Sequence, residues 1–255
     1  MSFLKLFWQS FFLINAVYLI GCSHNHIYSK KDRAFLYFKI GTGHLEKGHP
    51  ELALASLLDA ERLDPRNHLI QNNLGLAYLL KGKLLLAEKH FRKALAIKPK
   101  YTEARNNLGR TLIEQGAYNE AIQQIKIGLQ DLTYPFPERL YFDLGLAYFL
   151  KNKYKKALQA FEKALEHKPQ NCGPQLYLGR SYFELKQYQK ASVALDQALS
   201  FCQKNEREEA AYYAALSYFH LGQREESLTR LEELLTKYPK GLFSKRAKDM
   251  IAIIK

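Results

Sequence analysis

Positions 4, 7, 8 and 11 of six successive helix-length segments form an inward stripe dominated by apolar and small residues, the spacing of one helical face. Ile40-Gly41, Leu74-Gly75, Leu108-Gly109, Leu144-Gly145 and Leu178-Gly179 mark that stripe, with the glycines 34, 34, 36 and 34 residues apart. A small residue follows twelve positions later, at Ala53, Ala87, Ala121, Ala157 and Ala191, with Ser227 in a sixth, more degenerate copy. Small residues there let two helices cross closely. Large ones fill the space around them: Tyr78, Phe91 and Leu95 in the second copy, Tyr148, Phe161 and Leu165 in the fourth. Pro65, Pro99, Pro169 and Pro239 close four copies, because proline cannot continue the second helix.

Each unit is therefore a pair of antiparallel helices. One pair cannot bury its own apolar face, so copies must stack on their neighbours. The pattern resembles the tetratricopeptide repeat over about four fifths of the chain. It predicts an all-α, right-handed superhelical solenoid of about six repeats at 34–67, 68–101, 102–135, 138–171, 172–205 and 208–241. Residues 242–255 follow as a capping helix that starts near Ser244 and is polar on one face.

Residues 1–21 stand outside the repeats. Lys5 precedes an apolar stretch, Leu6 to Ile20, broken by Gln9, Ser10 and Asn15. That layout fits an export signal better than a membrane span. It ends in Leu19-Ile20-Gly21-Cys22, which resembles the bacterial lipobox, where the cysteine is acylated and becomes the new amino terminus. The other reading is an uncleaved anchor helix with an incidental cysteine. Cys22 is thus the expected lipidation site, 22–33 a lipidated tether, and membrane attachment through the acyl chains the expected partner contact. Ser23 in place of aspartate resembles the sorting signal for the outer membrane of a Gram-negative cell, periplasmic face. His24 and His26 read as part of the polar tether rather than as half a metal site.

Cys172 opens the first helix of the fifth repeat and Cys202 ends its second, so the two lie at adjacent helix ends. A bridge, which an oxidising periplasm would favour, and two separate buried thiols both fit that placement. The net charge of +13 raises the question of nucleic acid. The basic residues are spread over helix ends and turns, as in Lys151-Asn152-Lys153-Tyr154-Lys155-Lys156, with no reading helix. Attraction to anionic lipid or peptidoglycan surfaces, or a plain solvated face, accounts for the charge without nucleic acid.

No phosphate loop, GxSxG, HExxH or metal-spaced cluster occurs. The reading is a binding module without catalytic residues, metal or cofactor. Positions 2, 5, 9 and 12 of each first helix are expected to line the concave groove. They are Phe35, Phe38, Thr42 and Leu45 in the first copy and Leu69, Asn72, Leu76 and Leu79 in the second. The third gives Glu103, Asn106, Arg110 and Ile113, and the fourth Arg139, Phe142, Leu146 and Phe149. Apolar side chains at such positions mark either a partner surface or imperfect stacking on neighbouring helices. Asn73 and Asn107, at position 6, carry amides able to pair with a bound peptide backbone. Asp143, Tyr177 and Tyr213 replace them in later copies. The expected partner-binding set is Phe35, Phe38, Leu69, Asn73, Leu76, Leu79, Asn107 and Arg110.

A lipobox followed by six repeats and a capping helix is similar to the layout of the type IV pilus assembly lipoproteins, the pilotins. The stretch from Gly128 to Arg139 resembles their third-to-fourth junction, although Phe136-Pro137 is inserted between Tyr134-Pro135 and Glu138-Arg139. The resemblance implies a lipoprotein that binds secretin subunits and promotes their assembly into the pilus exit pore. A tetratricopeptide lipoprotein adaptor that docks peptidoglycan enzymes or other envelope proteins is the alternative.

Overall fold

The structure, a computed structural model, describes residues 29–255. The signal at 1–21, Cys22, His24 and His26 lie outside the described residues. Within them the chain forms thirteen α-helices and no strand. Six pairs are α1 (Lys30–Glu46) with α2 (Pro50–Leu63), α3 (His68–Leu80) with α4 (Leu84–Ile97), α5 (Thr102–Glu114) with α6 (Tyr118–Gly128), α7 (Pro137–Leu150) with α8 (Tyr154–His167), α9 (Cys172–Glu184) with α10 (Tyr188–Phe201), and α11 (Lys204–His220) with α12 (Arg224–Lys237). A last helix, α13 (Ser244–Ile254), closes the right-handed solenoid.

The small-residue marks act where the two helices of a pair cross. A methyl group on Gly75 would come within 2.6 Å of the Phe91 ring, so only glycine lets Phe91, itself fully buried, lie against α3. The sixth repeat uses a different solution. Ala215 stands at the glycine position, and the Ser227 hydroxyl donates to the Ala215 carbonyl at 2.8 Å. Between the two helices of each pair the chain turns through a left-handed residue. Gly82 supplies it in the second repeat (φ 67°), while Asn152 and Lys186 adopt φ 55° and 59° in the fourth and fifth.

Two elements begin earlier than the repeat spacing places them. α1 starts at Lys30, four residues before the predicted boundary, because Ser29 and Asp32 form a capping box: the Ser29 hydroxyl accepts from Asp32 N–H and the Asp32 carboxylate from Ser29 N–H. α11 likewise starts at Lys204 rather than at 208. At the enlarged third junction, Asp131 accepts from the hydroxyls of Thr102 and Thr133, each at 2.6 Å. Tyr134 donates to Glu103 at 2.8 Å, and Arg139 lies over the Phe136 ring at 4.4 Å. These contacts absorb the extra residues, and Pro137 then opens α7 at a position where its missing N–H costs nothing. At the far end, buried Glu208 accepts from the backbone N–H groups of Leu242 and Phe243 and so fastens α13.

Candidate functional site

First helices of successive repeats touch one another in a row, α1 to α3, α3 to α5 and onward to α11. That row makes the inner face. Of positions 2, 5, 9 and 12, positions 2 and 9 are open or partly open in every repeat, whereas position 12 is buried in the second, third and fourth (Leu79, Ile113, Phe149). In the first two repeats these positions carry, besides Thr42 and Asn72, apolar side chains, most of them partly open. Phe35 is 61% exposed, with its ring centroid 6.4 Å from that of Phe38. Leu69 is 38% exposed, and Leu76 is half-buried beside the central core cluster. Two placements correct the sequence reading. Leu79 is buried in that same cluster and offers no open surface. Phe38 packs partly against the first core cluster with Leu57 and Leu74, so it serves folding as well as surface.

The asparagines are also redirected. Asn73 Nδ2 donates to Thr42 Oγ1 at 2.8 Å, Asn72 Nδ2 to Asn73 Oδ1 at 3.3 Å, and Asn107 Nδ2 to Asn72 Oδ1 at 3.1 Å. The Thr42 hydroxyl in turn donates to the Phe38 carbonyl at 2.9 Å. Asn107 is buried. These groups therefore form a chain that staples three repeats together across the groove floor. They are not an open ladder for a peptide backbone. Arg110 projects into solvent and pairs with Glu114 at 3.5 Å on its own helix.

Further along, the floor becomes charged. Asp143, at position 6 of the fourth repeat, is buried, and that burial pushes its carboxyl up to about 7; Arg110 and Arg139 pull against the rise and Glu114 adds to it. The Asn106 Oδ1 atom is buried with no hydrogen-bond partner among the described residues.

The C-terminal half of the inner face holds a cluster that the sequence reading passed over. Arg180 sits at position 9 of the fifth repeat. Its guanidinium carbon lies 4.8 Å from the Phe149 ring centroid, 4.6 Å from Tyr213 and 5.5 Å from Tyr177. Nη1 pairs with Glu209 at 2.6 Å. Phe183 stands edge-on to Tyr213 at 5.4 Å. Extending the same position rule into the fifth and sixth copies yields Arg180, Phe183 and Glu209, so the signal was present in the spacing. Cys172 and Cys202 are joined by a disulfide, Cα atoms 4.9 Å apart, which ties the start of α9 to the end of α10.

Profiles described as tetratricopeptide repeat match residues 38–102, 78–132, 138–171 and 175–201 with 209–241. The chain is 32% identical over 157 residues to the type IV pilus assembly protein PilF of Pseudomonas aeruginosa, a match that spans 59% of this chain and 62% of that protein. Among solved structures, Pseudomonas aeruginosa PilF superposes with a TM-score of 0.76 at 24% identity, covering 87% of this chain and 99% of that one. PilW, described as a widely conserved type IV pilus biogenesis factor, superposes with a TM-score of 0.75 at 21% identity over 82% of this chain and 95% of its own.

Proposed function

The chain belongs to the tetratricopeptide-repeat family, and from that premise we propose that it is a non-catalytic, lipid-anchored scaffold of type IV pilus assembly. In this reading Cys22 carries the acyl chains and Ser23 directs the protein to the periplasmic face of a Gram-negative outer membrane. The inner face of the solenoid then holds a segment of the secretin that forms the pilus exit pore and favours its multimerisation. The likeness to PilF over 157 residues supports the pilus role. The observation that carries the binding site is the open apolar patch of the first two repeats. Phe35 and Leu69 present large apolar surface where the equivalent positions of the third and fourth repeats, Glu103 and Arg139, are charged. A patch of that kind on the inner face of a helical array fits an apolar segment of another protein.

The test is genetic and biochemical. Cells lacking the protein should show secretin monomers in place of multimers on mildly denaturing gels. Cells carrying Cys22→Ala should lose acyl labelling and the outer-membrane location. Intact multimers in the deletion strain would overturn the secretin reading and favour a peptidoglycan-enzyme adaptor. Unchanged labelling and location in the Cys22→Ala strain would overturn the anchor.

A further inference from the structure

At internal junctions of the solenoid, positions 3 and 7 of the first helix are closed by the second helix of the repeat before. Ile70 and Leu74 pack with Leu57 and Ala60 of α2. Leu140 and Leu144 pack with Ala121 and Ile125 of α6, and Ala210 and Ala214 with Leu195 and Ala198 of α10. All twelve of these residues are buried. The first repeat has no predecessor among the described residues. Its own positions 3 and 7, Leu36 and Ile40, are 52% and 42% exposed. A side chain at Gly43, next along that stripe, would meet nothing within 4 Å. A terminal repeat that faces only water needs a polar outer face, and this one is apolar along its open edge.

The rim of the edge is basic. At 100° per residue Lys30 and Arg33 of the first turn flank the stripe on one side and Lys39, its Nζ 5.7 Å from the Phe35 ring, on the other, while Lys31 falls on the opposite side of α1 and Lys47 caps the far end. Cations in a first turn oppose the helix dipole, so helix stability does not account for them. Asp32 and Glu46 are the two acids of α1, and Asp32 is engaged by the Ser29 cap. With Cys22 acylated, the sequence also puts this end of the solenoid nearest the bilayer. Cys22 precedes Lys30 by eight residues, a reach of at most about 28 Å if fully extended, and the apolar run Leu6–Ile20 ends just upstream of that cysteine.

We infer that the open edge of α1 lies on the membrane surface itself, with Leu36 and Ile40 among the lipid headgroups and the rim of Lys and Arg facing anionic phosphates. Helices with an apolar stripe between basic flanks bind at that depth. The inference rests on the membrane-anchor reading above. It leaves the groove stripe of Phe35 and Phe38 free, because that stripe lies roughly a quarter turn or more away around the helix at 100° per residue. The groove would then open directly at the bilayer, where a pore-forming partner has to arrive.

Fluorescence in vesicles tests this. Trp8, the chain's one tryptophan, lies in the signal that the lipoprotein reading removes, so the mature protein acylated on Cys22 is given a sole reporter by Leu36→Trp at the edge or by Leu132→Trp, an exposed site on the third junction. Each is reconstituted in vesicles of phosphatidylethanolamine and phosphatidylglycerol bearing brominated acyl chains. The edge reporter should emit at shorter wavelength and be quenched by bromine at the depth of an interfacial helix, and this quenching should weaken at high salt or in vesicles of phosphatidylcholine alone. The Leu132→Trp reporter should stay water-like. A water-like, unquenched Leu36→Trp in protein that floats with the vesicles would overturn the inference and leave the anchor standing. So would an edge reporter shielded only when solubilised secretin is added, which would make the edge a protein-docking face. Protein that fails to float would overturn the anchor reading and this inference together.

Discussion

Asp143 occupies the position that Asn73 and Asn107 hold in earlier repeats, and the exchange replaces an amide with a group that titrates near neutrality. Its folded carboxyl is pushed up to about 7, chiefly by burial, whereas in the unfolded chain it ionises in the ordinary carboxylate range. The folded state therefore holds its proton over a window in which the unfolded state has already lost it. Stability from this group falls as pH rises from about 4 to 7 and is lowest above that window. Asp143→Asn should accordingly stabilise the protein at pH 8 relative to pH 5, compared with wild type, by on the order of 2 kcal/mol. Denaturant midpoints of the two proteins at both pH values measure it, and equal differences at the two would contradict the assigned burial. The asparagines themselves show what sequence could convey at this scale. Asn73 and Asn107 were legible only as an amide recurring at position 6. Their commitment to Thr42 and Asn72 was not, because it depends on how far each first helix is offset from the next.

Among the elements, the helix pairs follow almost directly from the sequence because each rests on a strong local rule. Glycine opposite a large residue sets the crossing, and proline or a left-handed turn residue sets the stop. The starts of α1 and α11 were less legible. Helix starts depend on caps, and the Ser29–Asp32 box sits upstream of the first repeat mark. The disulfide belongs to this scale as well. It closes a loop of sequence separation 30 between the two ends of the fifth pair. On the chain-entropy argument, removing it should cost about 3 kcal/mol. A Cys172→Ala, Cys202→Ala double variant should unfold at lower denaturant while keeping its helical signal in buffer. An unchanged midpoint would mean that the bridge adds nothing beyond the packing of Leu176, Leu195 and Ala198 around it.

On the scale of the whole molecule, the inner face is divided. An apolar, partly open surface lies on the first two repeats, an amide staple and a buried carboxylate at the centre, and an aromatic cluster around Arg180 toward the C-terminal end. The apolar end was legible because groove positions carry over from one repeat to the next. The closing over of Leu79 and the partial burial of Phe38 were not, since both arise from how adjacent repeats lean together. Those two residues are poor probes of binding for the same reason, and Phe35 and Leu69 are the better ones. Most direct is the affinity of the purified protein for the secretin proposed as its partner, measured by calorimetry for wild type and for the double variant Phe35→Ala, Leu69→Ala. Melting should be unchanged and binding should weaken by about 2 kcal/mol or more, because a few large side chains buried on binding, Phe35 foremost here, carry most of such an interface. Wild-type affinity in the double variant would contradict this.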